Sequence, residues 1–119
     1  MELFEGLLEN ATDYELTEDS VLIQFGAFGG LDEIHKLDLR LFDEIPAEIG
    51  WHDGHEVAVD DTHGTLFSYG DNAEKLFLTM LPILKDFDFL DGATVHLSFI
   101  KQDKTVSEIE FEFHVGANE

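Results

Sequence analysis

The densest group of side chains able to do chemistry is Trp51-His52-Asp53-Gly54-His55-Glu56, followed closely by Asp60, Asp61 and His63. Imidazoles beside carboxylates suit zinc, nickel or iron. The order follows no metal motif, however. No H-E-x-x-H sets two histidines on one helix face, and His52-Asp53-Gly54 reads as a turn. The expectation is that His52, His55 and His63 hold no metal. A metal-binding module or metal-dependent enzyme built on this His52 to His63 hairpin stands as the alternative.

Other catalytic patterns are missing. The chain has no Cys, which removes disulfides, thiolate nucleophiles and Cys-ligated zinc or iron–sulfur sites. It has no G-x-S-x-G elbow, P-loop or G-x-G-x-x-G, and Ser20, Ser68, Ser98 and Ser107 all fall in predicted strands. Arg40 is the one arginine, a poor endowment for gripping phosphorylated substrates. With 27 acidic residues, candidate glycosidase pairs carry no information. No catalytic residue and no cofactor is assigned, and the chain is expected to act by binding.

A sharper pattern lies near the C-terminus, where Glu108, Glu110, Glu112 and His114 alternate with Ile109, Phe111, Phe113 and Val115. Alternate residues of a strand share one face at about 7 Å, where exposed like charges repel by about half a kcal/mol before salt screening. His96, on the preceding predicted strand, joins that face. The free face of the sheet is therefore expected to offer carboxylates to a Lys- and Arg-rich partner, with Trp51 and Tyr69 as aromatic anchors.

These residues are carried by a regular series of elements. Ser20 to Phe28 is apolar and β-prone and ends at Gly29-Gly30. Ile34, Leu37, Leu41, Ile45 and Ile49 recur at helical spacing, with Pro46 imposing a kink or a stop near Ile45. Glu56 to Asp60 and Thr65 to Tyr69 read as a hairpin turned at Thr62-His63-Gly64. Asp71 is the predicted cap of a helix lined by Ala73, Phe77, Met80, Leu81 and Leu84, in which Pro82 predicts a kink. Thr94 to Ile100 and the glutamate-bearing segment complete the strands. The sum is an α+β, ferredoxin-like split β-α-β sandwich: β-α-β-β-α-β plus one extra C-terminal strand, an antiparallel sheet with two helices on one face. Met1 to Glu9 reads as a further short helix and Tyr14 to Leu16 as an extension of the sheet.

At 119 residues the chain fits one domain, residues 1–119, and 44% hydrophobic residues with 11 Phe supply a core. Its charge is the outlier. Twenty-seven Asp and Glu against 6 Lys and Arg give −21, far beyond the magnitude of about 2–8 that keeps a small domain soluble. Such a field repels nucleic acid and anionic lipid and draws in basic proteins. The longest apolar run, Leu76 to Leu84, is too short for a membrane span, and the acidic N-terminus is unlike a signal peptide. The expectation is a cytoplasmic monomer or weak dimer.

The segments Asp53-Gly54-His55-Glu56, Thr65-Leu66-Phe67-Ser68-Tyr69-Gly70 and Ala73-Glu74-Lys75-Leu76-Phe77 form a D-G-x-E, T-L-x-x-Y-G, A-x-x-L-F pattern. In this the chain resembles a group of small uncharacterised acidic bacterial proteins, over roughly Leu31 to Ile100. That resemblance implies no catalytic residues. In size, acidity and lack of catalytic signature the chain is also similar in type to the immunity proteins of bacterial toxin systems. That similarity implies a partner, a cognate toxin with a basic active-site groove, such as a nuclease or deaminase. A phage nucleic-acid mimic that inhibits a host nuclease is the related alternative.

Overall fold

The computed structural model describes residues 18–28, 30–101 and 105–115. Expectations for Met1 to Glu9 and Tyr14 to Leu16 lie outside these residues. The elements run β1 (Asp19–Phe25), α1 (Leu31–Glu44), β2 (Gly50–Val57), β3 (Gly64–Gly70), α2 (Ala73–Leu84), a 3-10 turn (Asp88–Leu90), β4 (Ala93–Ile100) and β5 (Val106–Phe113). The five strands form one antiparallel sheet in the order β2-β3-β1-β4-β5. This is the expected ferredoxin-like α+β arrangement, with β5 added beside β4.

Period-two alternation decides which sheet face is covered. Val21, Ile23 and Phe25 of β1, Leu66 of β3, and Ala93, Val95 and Leu97 of β4 are buried against the helices. The helices answer with Ile34, Leu37 and Leu41 from α1 and Leu76, Phe77, Met80, Ile83 and Leu84 from α2, all in one core cluster. Phe77 packs edge-on to Phe111 and Phe113 of β5, with ring centroids 5.4 and 6.5 Å apart. That contact holds only the C-terminal part of β5, because Ile109 is 51% exposed even though it points the same way.

Two local details differ from the sequence reading. The cap of α2 is Asn72, not Asp71: its side chain accepts from Lys75 N at 2.9 Å. A second amide at this helix start, Ala73 N, donates to buried Asp19 Oδ2 at 2.9 Å, while Asp19 Oδ1 accepts from Ile100 N at 2.8 Å. Asp19 thus ties β1, α2 and β4 together and places a carboxylate at the positive end of the helix dipole. Of the two outcomes expected at Pro46 the stop is the one found, since α1 ends at Glu44 and Ile49 N turns back to Pro46 O.

The second difference is the larger. His52-Asp53-Gly54 is not a turn but lies inside β2, which runs Gly50–Val57 and so starts six residues before the expected Glu56. His52 pairs with Ser68 and Gly54 with Phe67, leaving Asp53 as an extra residue in a β-bulge. Gly54 adopts φ 127, a backbone angle that side-chain-bearing residues avoid, which is why this bend carries glycine.

Candidate functional site

Two constellations emerge. The first is a consequence of the bulge. Residues three apart on a regular strand face opposite sides, but the extra residue at Asp53 turns His52 and His55 to the same, helix-covered side. Both meet Asp38 of α1. His52 Nε2 lies 2.7 Å from Asp38 Oδ1, and His55 Nδ1 lies 2.5 Å from Asp38 Oδ2. On its other side His52 Nδ1 is 2.9 Å from Ser68 Oγ of β3.

With Asp38 as a carboxylate, it accepts from both rings, and Ser68 O–H donates to the free Nδ1 of a neutral His52. Burial is the main influence on His52 and pulls its pKa below the ordinary value, the neighbouring Asp38 opposing this only in part. No described buried side-chain nitrogen or oxygen, in this network or elsewhere, lacks a hydrogen-bond partner.

A serine, a histidine and an aspartate in one hydrogen-bonded line invite comparison with a nucleophilic triad. Access argues for a different role. Ser68 is 0% exposed, as is the side chain of His52, so no substrate carbonyl reaches the hydroxyl without displacing α1. The line instead fixes α1 over β2, since its four members come from three elements. His63 stands apart in the β2–β3 connection, where it faces Thr62, and the hairpin does not gather the three histidines as a set. Among the described residues no three His, Cys, Asp or Glu side chains are arranged to hold a metal.

The second constellation is the uncovered face of the sheet. Strand pairing sets Glu112 opposite Thr94, Glu110 opposite His96 and Glu108 opposite Ser98, so Glu108, Glu110 and Glu112 line one face together with His96. Trp51 and Tyr69 are paired neighbours on the same face, with ring centroids 6.0 Å apart. The residues nominated from sequence thus share a face but occupy its two ends. β2 and β5 are four strand spacings apart, about 19 Å. Leu22 and Phe67 lie between them on the same side, both half-buried, and no described helix covers this face.

Neutralisation within this face is slight. His96 Nδ1 is 3.5 Å from Glu110 Oε1, while His114 is 3.5 Å from both Asp91 and Glu112. Lys36 and Arg40 are engaged elsewhere, with Glu33, Glu44 and Asp86, and no described Lys or Arg forms an ion pair with the three glutamates.

Searches of protein-family models, of curated proteins and of solved structures find no match to the chain. Among the described residues no helix is long and apolar enough to cross a membrane.

Proposed function

We propose that the chain is a protein inhibitor that docks its uncovered sheet face on a basic surface, acting as an immunity protein that neutralises a cognate toxin. The observation that carries this reading is the row Glu108, Glu110 and Glu112, held in register on one strand without a Lys or Arg partner among the described residues. Three like charges on a strand repel, and a partner that supplies Lys or Arg converts that repulsion into attraction. The aromatic end, Trp51 and Tyr69, adds the apolar contact area that dominates protein interfaces.

The overall charge of −21 supports the same reading through kinetics, since a field of this sign accelerates the approach of a basic groove. An immunity gene normally adjoins its toxin gene, so the neighbouring gene supplies the assay. Its product is expressed in host cells with the chain, without it, and with the chain carrying Glu108→Gln, Glu110→Gln and Glu112→Gln. The expected outcome is growth arrest without the chain, rescue by the wild type and weaker rescue by the variant. Absence of arrest, or full rescue by the variant, counts against the reading.

A further inference from the structure

The core requires one apolar stripe of α1, yet this helix carries two. Ile34, Leu37 and Leu41 face inward. Leu31, His35, Leu39 and Phe42, spaced four, four and three residues apart, form a second line on the outside, where Leu31 is 45%, Leu39 67% and Phe42 55% exposed. Single exposed apolar residues are ordinary, but three aligned on one helix with a histidine between them make a continuous ridge.

The ridge is stiffened from below. The Phe42 ring rests on the buried His52 imidazole with centroids 5.0 Å apart, and the His35 ring lies 6.2 Å from His55. Both supporting histidines are fixed by Asp38, so the ridge is held in place before any partner arrives. Its rim is negative. The two cations of α1 are consumed internally, Lys36 by Glu33 and Arg40 by Glu44 and Asp86, whereas Asp32 and Asp43 have no ion pair among the described residues.

We propose that this outer face of α1 is a second docking surface, shaped for an amphipathic helix whose apolar ridge is flanked by Lys and Arg. A second copy of the chain is a poor occupant, because it would bring the same acidic rim and another −21 of charge. A basic amphipathic helix satisfies both components at once: its leucines cover Leu39 and Phe42 while its cations meet Asp32 and Asp43. This surface is separate from the uncovered sheet face and stands whether or not the inhibitor reading holds.

The probe is a synthetic helical peptide with leucines at helical spacing and lysines elsewhere, titrated into the isotopically labelled full chain by NMR. A peptide of identical composition in scrambled order controls for charge. Saturable shifts at the amides of Leu31, His35, Leu39 and Phe42 are expected with the ordered peptide only. Leu39→Ser removes a side chain that the core does not use and should weaken binding about tenfold, as loss of an interface anchor does. Phe42→Ser should do likewise, but it also touches His52, so Leu39→Ser is the deciding variant. The triple change at Glu108, Glu110 and Glu112 to Gln should leave the shifts on α1 in place, which separates this surface from the inhibitor face. No saturable binding, equal binding of the scrambled peptide, shifts confined to β4 and β5, or an unaffected Leu39→Ser would each overturn the proposal. So would self-association in sedimentation that Leu39→Ser abolishes.

Discussion

Replacing Asp38 by Ala removes the one group that two imidazoles share. His52 Nε2–H would remain buried without an acceptor, a cost of about 1–3 kcal/mol, and the half-buried bond from His55 would add about 1 kcal/mol. The expected loss is about 3 kcal/mol, large for a domain whose total stability is about 5–15 kcal/mol. With a urea m-value of about 1.5 kcal/mol/M, the unfolding midpoint should fall by about 2 M at unchanged slope. Asp38→Asn should cost much less. The amide oxygen still accepts from His52, while His55 can carry its proton on the other ring nitrogen, so that Nδ1 accepts from the new amide. Chemical denaturation followed by tryptophan fluorescence and circular dichroism measures both. An alanine variant with an unchanged midpoint, or an asparagine variant as damaged as the alanine one, would refute the assignment of Asp38 as the shared acceptor.

Three further outcomes follow from the same structure. The pKa of His52 is lowered in the fold, so below its ordinary value of about 6.5 the unfolded chain takes up the proton first and stability is lost as pH falls. His52→Gln should therefore flatten the pH dependence of stability between about 6.5 and 5.5, before the carboxylates titrate; a difference curve of zero slope would contradict this. Asp19→Ala strips acceptors from two backbone amides, Ala73 N and Ile100 N, and should cost about 2–4 kcal/mol in denaturant unfolding, with Asp19→Asn losing about half of that. Sodium chloride should stabilise the fold by screening the excess of carboxylates, about 4 °C in melting temperature for each kcal/mol gained. A midpoint that stays flat or falls with salt would mean that the acids are already compensated within the fold.

The fold was legible in the sequence because its signals agree with one another. Alternation in β1, β4 and β5, helical spacing in α1, and the stop at Pro46 each point to one architecture. The buried network was not legible, for a physical reason: an odd spacing between His52 and His55 denotes opposite faces unless a bulge intervenes, and Asp53-Gly54 resembles a turn as much as a bulge. One signal did exist. Asp38 occupies an inward slot of α1 among Ile34, Leu37 and Leu41, and Ser68 follows Leu66 at an inward slot of β3. A carboxylate in such a slot demands donors, and His52 and His55, 14 and 17 residues further along the chain, supply them. The row of glutamates was readable from alternation alone, because β5 contains no bulge to disturb its parity.

The central claim is that Glu108, Glu110 and Glu112 form a contact surface and are more than part of a diffuse field. Association and dissociation rates with the product of the neighbouring gene, measured at several salt concentrations, test it most directly. The Gln triple at these positions is compared with the equal-charge control Glu2→Gln, Glu5→Gln and Glu9→Gln. The account predicts that both triples slow association, and that only the first speeds dissociation, by about 1 kcal/mol or more for each carboxylate whose cation is desolvated in the complex. Equal losses confined to the association rate, or no loss in either triple, would contradict it.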